Sequence, residues 1–166
     1  MGITSENTQQ QMLKCSNSDE RFADAAAREA VKSPAQFRHG CVAVVSGKIM
    51  ARGYNNYQTY SKDGLIGTSC SCHAEINVLR KCLRRNILGK INLYIVRISN
   101  TTNDFVSSAP CCQCIKVMKK FNIKTITYSE DNNQLVKTNL NNYNKVHISS
   151  GTRAIIENRV KIFGSS

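Results

Sequence analysis

Tryptophan is absent from this chain, proline occurs twice and histidine three times. Without Trp, any stacking platform has to be built from Tyr or Phe, and two prolines exclude a proline-rich linker. No apolar run approaches eighteen residues, so no membrane-spanning helix is expected. The opening stretch MGITSENTQQQMLKC lacks the apolar middle of a secretory leader. The expectation is a soluble, cytoplasmic protein with no membrane partner. Acidic residues are also scarce: 11 Asp and Glu stand against 23 Lys and Arg, a formal net charge of +12. Such a balance admits nucleic acid or another polyphosphate as a partner. The basic residues are dispersed, however, apart from RKCLRR and KVMKK, and a chain rich in Lys, Asn and Ile reaches this charge without any binding role.

At 166 residues, with 41% hydrophobic and 20% charged residues, the chain suits one domain with its own core. No internal repeat is visible. Residues 1–17, rich in Gln, Ser and Asn, read as a flexible tail, and residues 18–166 as a single domain. SNSDERFADAAAREAVKSP predicts a helix capped by Asn17 or Ser18, burying Phe22, Ala25, Ala26 and Ala30 and closed by Pro34. CVAVVSGKIMARGYN predicts a hairpin turning at Ser46-Gly47. Residues 54–72 have no period and read as a long loop. HAEINVLRKCLRR predicts a helix burying Ile76, Leu79 and Leu83, and INLYIVRIS a strand buried on both faces. CCQCIKVMKKFN predicts a short helix with Pro110 at its start, and IKTITYS and QLVKTNL predict further strands. HISSGTRAIIENRVKIF fits a strand or a helix equally. The order predicts a three-layer α/β/α sandwich, its sheet parallel where β-α-β crossovers occur.

What the chain does have is eight cysteines. Without a leader, metal binding or catalysis is expected of them before disulfides. Cys111 and Cys114, in SAPCCQC, are three apart, so a helix brings both thiols to one face, and a helix N-terminus lowers thiol pKa values. His73 and Glu75, in CHAEINVL, lie roughly 200° apart around a helix and can converge only beyond its N-terminal tip. A joint site therefore needs two helix N-termini meeting at the edge of a sheet, the usual place for a ligand. One His and two Cys leave a tetrahedral zinc one ligand short, the mark of a catalytic site. Two thiolates offset the charge of Zn²⁺, so the metal acidifies water less than three imidazoles would allow. A neighbouring carboxylate then matters more, and Glu75 suits that role rather than a fourth ligand's. Cys112 points elsewhere. Cys70, Cys72 and Cys82 are either a second zinc site or spare thiols. His39 lines a pocket or lies at the surface, and His147 is structural. Tyr54, Tyr57 and Tyr60 either stack a base or anchor their loop.

The ordered set, H-x-E at one helix start and P-C-x-x-C at the next, matches the signature of zinc nucleobase deaminases. From about Phe22 to Ser129, through SPAQFRHGCVAVVSGKIMARGYN, CHAEINVL and APCCQC in that order, the chain resembles the cytidine and deoxycytidylate deaminase superfamily. The resemblance implies a mixed five-stranded sheet flanked by helices. It implies Zn²⁺ held by His73, Cys111 and Cys114, with Glu75 as proton shuttle. It places Asn55 at the substrate sugar and the Ala74 backbone at the base. GYN and CHAEIN look most like deoxycytidylate-type members, although Asn56 stands where that group has Gly. The 38 residues from His73 to Cys111 (111 − 73) exceed the usual separation, so a segment within 86–109 is expected to be foreign to the family. No segment reads as a phosphate cradle.

The expected function is zinc-dependent hydrolytic deamination of cytosine to uracil in a free cytidine or deoxycytidine nucleoside or nucleotide. Three alternatives stand beside it. One is deamination of cytosine or adenine in single-stranded RNA or DNA, since HAEI is shared with tRNA adenosine deaminases. Another is a different heterocycle, such as guanine. The last is a structural zinc module, which would have no need of Glu75. Homo-oligomer formation stays open.

Overall fold

The computed structural model describes residues 12–67 and 72–143. Its elements are β1 (Met12–Leu13), α1 (Asn17–Ala30), β2 (Arg38–Val45), β3 (Lys48–Tyr54), α2 (Ala74–Arg84), β4 (Ile91–Ile98), β5 (Phe105–Val106), α3 (Cys112–Met118), β6 (Ile123–Glu130) and β7 (Gln134–Asn139). A 3₁₀ turn at Leu140–Asn142 follows. One sheet carries all the described strands in the order β1-β7-β6-β4-β2-β3, with β5 paired to the end of β4. Only β4 and β6 run parallel, joined through α3. The expected three layers are present: α1 covers one face over Val42, Val44, Tyr94 and Val96, while α2 and α3 cover the other over Ala43, Leu93, Ile95 and Ile126.

Among the described residues the sheet has seven strands rather than the expected five, because β1 and β5 add two residues each. Met12 and Leu13 pair with Thr138 and Lys137 of β7, so residues 12–17 of the expected tail belong to the fold. The helix cap also moves. Ser16, not Asn17 or Ser18, caps α1: its hydroxyl accepts from the Asp19 N–H while the Asp19 carboxylate accepts from the Ser16 N–H. This reciprocal pair satisfies two otherwise orphaned donors. Asp19 has a second task inside the fold, accepting from the Tyr94 hydroxyl at 2.6 Å and the Lys137 ammonium at 3.0 Å. It thereby fastens α1 to β4 and β7.

Two local features set the distances between layers. Ser46 and Gly47 both have positive φ, 50° and 77°, as a two-residue hairpin turn requires. Gly40 lets α1 lie directly on β2, since a Cβ there would come within 1.9 Å of the Ala26 carbonyl oxygen. On the opposite face α2 buries Ile76, Val78, Leu79 and Cys82. Leu83, expected on that stripe, is 52% exposed, because the buried face is completed by Val78 and Cys82 instead. Cys70, His147 and the segment 147–163 lie outside the described residues.

Candidate metal centre

Two separate supports bring the first half of the site into place. Asn56 and Cys72 exchange backbone hydrogen bonds of 3.0 and 2.9 Å, laying Cys72 and His73 beside the end of β3. Asn77, whose N–H donates to the His73 carbonyl to begin α2, also sends its side-chain amide to the Tyr54 carbonyl at 2.9 Å. His73 is the N-cap of α2 but makes no side-chain capping bond, so its ring is free to face the second half.

That half hangs from β4 and β6. Ser108 donates to the Ile95 carbonyl at 2.8 Å, and the Ser129 hydroxyl donates to Ser108 at 2.8 Å. Both serines are buried. Two residues after Ser108, the Pro110 carbonyl accepts from the buried Tyr143 hydroxyl at 2.9 Å. Cys111 follows as the N-cap of α3, so the helix begins at Cys112, later than expected, and Pro110 precedes the cap. The Cys111 sulfur accepts from the Cys114 N–H at 3.5 Å, taking the place that a Ser or Asp oxygen fills in other helices.

The expected side chains then meet. His73 Nδ1 lies 3.1 Å from Cys114 Sγ and 3.5 Å from Cys111 Sγ, and Cys114 Sγ lies 3.0 Å from Glu75 Oε2. The ligand atoms of His73, Cys111 and Cys114 all fall within 4.8 Å of one another. Among the described residues this is the single group of three or more such atoms; Cys70, which the second-site reading needs beside Cys72 and Cys82, lies outside them. A tetrahedral zinc with ordinary Zn–S and Zn–N bonds separates its N and S ligands by about 3.5 Å. The observed spacing fits.

The charges fit as well. A hydrogen bond from the Cys114 thiol leads in drawing the Cys111 thiol down to about 4, helped by the His73 ring and opposed by burial. Cys111 is therefore a thiolate at neutral pH. The same hydrogen bond pushes Cys114 well above the usual thiol value, joined by burial and the Glu75 charge. Burial pulls His73 down, but the Cys111 hydrogen bond and the neighbouring negative charges leave it above its ordinary value. Burial raises Glu75, with His73 acting against it. One thiolate, one imidazole and one polarised thiol beside a buried carboxyl make a cluster whose chemistry suits a cation.

The two expected substrate contacts stand differently. Ala74 is the first helical residue of α2, where the backbone N–H has no partner within the helix. Asn55 is engaged by the protein: its Oδ1 accepts from Ser33 Oγ at 2.6 Å and the His39 N–H at 2.9 Å, and its Nδ2 donates to the Phe37 carbonyl at 2.6 Å. Cys112, as expected, takes no part in the cluster. Tyr57 and Tyr60 are exposed, and the Tyr57 hydroxyl is tied to the Pro34 carbonyl. Ser108, Ser129 and Tyr143 were not legible as supports of the site. The only sequence signal is the position of Ser108 just before APC.

Residues 16–130 match the family model of the cytidine and deoxycytidylate deaminase zinc-binding region. Among solved structures the chain is similar to the cytidine deaminase of Burkholderia pseudomallei, at TM-score 0.58 and 18% identity, covering 77% of this chain and 98% of that one. It is also similar to the dCMP deaminase of cyanophage S-TIM5 in apo form, at TM-score 0.53 and 20% identity, covering 69% of this chain and 84% of that one. The same cyanophage enzyme in complex with dCMP and dUMP gives TM-score 0.50 and 19% identity, covering 70% of this chain and 83% of that one. No curated protein matches. At these identities the likeness establishes the fold; the family match and the His-Cys-Cys cluster together assign zinc as the cofactor. Among the described residues no helix is long and apolar enough to cross a membrane.

Proposed function

Because this chain belongs to the cytidine and deoxycytidylate deaminase family, we propose that it converts the cytosine of a free cytidine or deoxycytidine nucleotide to uracil by hydrolysis. His73, Cys111 and Cys114 hold the zinc in this reading. The observation that carries it is Glu75: a carboxyl buried to 4% exposure, 3.0 Å from Cys114 Sγ, in a cluster that already has three metal donors. A purely structural site gains nothing from it.

When bound, zinc supplies the Lewis acidity that makes water a usable nucleophile near neutral pH. Glu75 takes one proton from the attacking water, and its raised pKa brings it nearer to the working pH. The water oxygen bonds to C4 of the base. Glu75 delivers its proton to N3 and then serves the exocyclic amine, the C4–N4 bond breaks, and ammonia leaves. Water and cytosine are balanced by uracil and ammonia. The Ala74 N–H at the tip of α2 orients the base. Asn55 keeps one Nδ2 hydrogen for the sugar, its other contacts fixing the wall formed by Ser33, Phe37 and His39.

The test is ammonia and uracil release from cytidine, deoxycytidine, CMP, dCMP and single-stranded oligonucleotides by the zinc-loaded protein. Turnover of a free nucleotide, with weak dependence on salt, is the expected result. Turnover confined to strands would fail this reading, and would show a steep fall between 50 and 200 mM salt, roughly 10³-fold for six or more phosphate contacts.

A further inference from the structure

His39 and Arg97 are register partners in the β2–β4 ladder, so their side chains leave the sheet on the same face. Farther along the two strands Cys41 pairs with Ile95 and Ala43 with Leu93, and these four pack in the core beneath α2 and α3. The two-residue period of a strand puts His39 and Arg97 on that face too, the one that carries His73, Cys111 and Cys114. Arg97 lies near the carboxyl end of β4, where β4 and β6 run parallel, and ligands bind outside such ends. His39 is near enough to sense the charges of His73, Cys111 and Arg97.

Arg97 differs from its neighbour Arg38 in what it holds. The Arg38 guanidinium is committed to the turn of the β4–β5 hairpin, donating to Asn100 Oδ1 at 2.9 Å, the Ser99 carbonyl at 2.8 Å and Asn103 Oδ1 at 2.7 Å. The Arg97 guanidinium instead lies over the ring of Phe37, 4.6 Å from its centroid. Among the described residues it takes part in no ion pair. A cation–π contact fixes the plane of the fork and leaves its N–H edges open, which suits a phosphate. Burial lowers the pKa of His39 to about 4, so His39 is neutral and Arg97 is the cation of this wall.

Resting on the nucleotide-deaminase reading above, we infer that Arg97, oriented by Phe37, binds the phosphate of a mononucleotide substrate. The hairpin that carries it falls within residues 86–109, the segment expected from sequence to depart from the family. One oriented guanidinium matches one terminal phosphate; a strand would need a row of them.

The experiment measures equilibrium binding of dCMP and of deoxycytidine to the zinc-loaded full chain by calorimetry, alongside ammonia release. The wild type should bind dCMP at least about 10-fold more tightly than deoxycytidine, the order of a charge-assisted hydrogen bond. Arg97→Gln should abolish that preference and weaken dCMP binding, with its KM, far more than deoxycytidine binding, and Arg97→Lys should restore part of it. Equal loss for both ligands, or a preference that survives Arg97→Gln, overturns the inference. If Arg97→Gln does not fold, Phe37→Leu serves: it should weaken dCMP more than deoxycytidine, and an equal effect on both, or none, overturns the inference. An Arg97-dependent preference without ammonia release would sink the deaminase reading and leave this one standing; ammonia release without the preference would do the reverse. An oligonucleotide held more tightly than dCMP through Arg97 would overturn the mononucleotide assignment.

Discussion

Glu75 Oε2 and Cys114 Sγ stand 3.0 Å apart although the residues are 39 positions apart in sequence. The contact joins the tip of α2 to the tip of α3 and places a buried carboxyl against a metal donor. Ordinary core packing would not choose a carboxyl here, since a buried charge is unfavourable unless it is paired. Glu75→Gln tests what the carboxyl does. The amide has nearly the same shape but cannot take a proton from water. Fold and zinc content should be retained, while the deamination rate falls by at least about 10²-fold, the low end for a general acid–base group. Loss of zinc in this variant, read by atomic absorption, would instead make Glu75 a ligand.

The two thiols should carry both metal and stability. Zinc is expected at about one ion per chain, and Cys111→Ser or Cys114→Ser should lose it. Metal bound only by the native state adds its binding free energy to folding, about 4 kcal/mol when free zinc is a thousandfold above Kd. Added zinc should therefore raise the melting temperature of the wild type and leave that of either variant unmoved. Stoichiometric zinc in the Cys111→Ser, Cys114→Ser double variant would sink the ligand assignment.

How far these features could be read from the chain depended on how local their causes are. The β2–β3 hairpin, α1, α2 and the strand β4 follow from short periodic patterns and from Ser46-Gly47, so sequence order was enough. The strands β1 and β5 did not show, because two residues have no period and pair only when Thr138 or Arg97 is already in place. The cap of α1 was missed by one residue. Ser16, Asn17 and Ser18 are all competent caps, and the choice falls to Ser16 because that register makes Asp19 both the reciprocal cap partner and the buried link to Tyr94 and Lys137. At the metal centre the donors and Glu75 were visible as a spacing, whereas their supports act across the chain. Tyr143 reaches Pro110 over 33 residues and Ser129 reaches Ser108 over 21. Nothing in their own neighbourhoods marks them.

Zinc binding should depend on pH in a defined direction. Cys111 is ionised at neutral pH, but Cys114 is held well above the usual thiol range and keeps its proton. A metal must displace that proton, so affinity should rise as pH rises through the neutral range. Calorimetry in two buffers of different ionisation enthalpy reads the release directly, and a binding enthalpy independent of buffer would contradict it.

Gly40 is a position where a single methyl group should be intolerable. Its Cβ would lie 1.9 Å from the Ala26 carbonyl oxygen and 2.5 Å from the Ala30 amide nitrogen, both backbone atoms of α1 that cannot rotate away. Gly40→Ala must lift the helix off the sheet and open the core around Val42 and Tyr94. Overpacking of this kind costs about 3 kcal/mol or more. Urea unfolding should show a midpoint lowered accordingly, and an unfolding free energy within about 0.5 kcal/mol of wild type, the usual range for neutral surface changes, would mean that α1 does not rest on β2 as described.

Asp19 sets the acid limit of the fold. Burial works to raise its pKa, but the Ser16 N–H, the Tyr94 hydroxyl and the Lys137 ammonium outweigh burial and hold the carboxyl below its ordinary value. A carboxylate more acidic in the folded chain than in the unfolded one contributes stability that is fully present above the unfolded pKa, about 3.9 for Asp. That contribution is lost as pH falls through the folded value. Asp19→Asn removes the charge that Lys137 and Tyr94 share and weakens the cap of α1, for a loss of roughly 2–4 kcal/mol at pH 7. The difference in unfolding free energy between wild type and Asp19→Asn should stay constant from pH 7 to about 5 and shrink steadily below about 4. A difference that instead grew toward low pH would show that Asp19 is protonated in the folded chain, and the link between α1, β4 and β7 would then rest on a neutral hydrogen bond rather than on a charge.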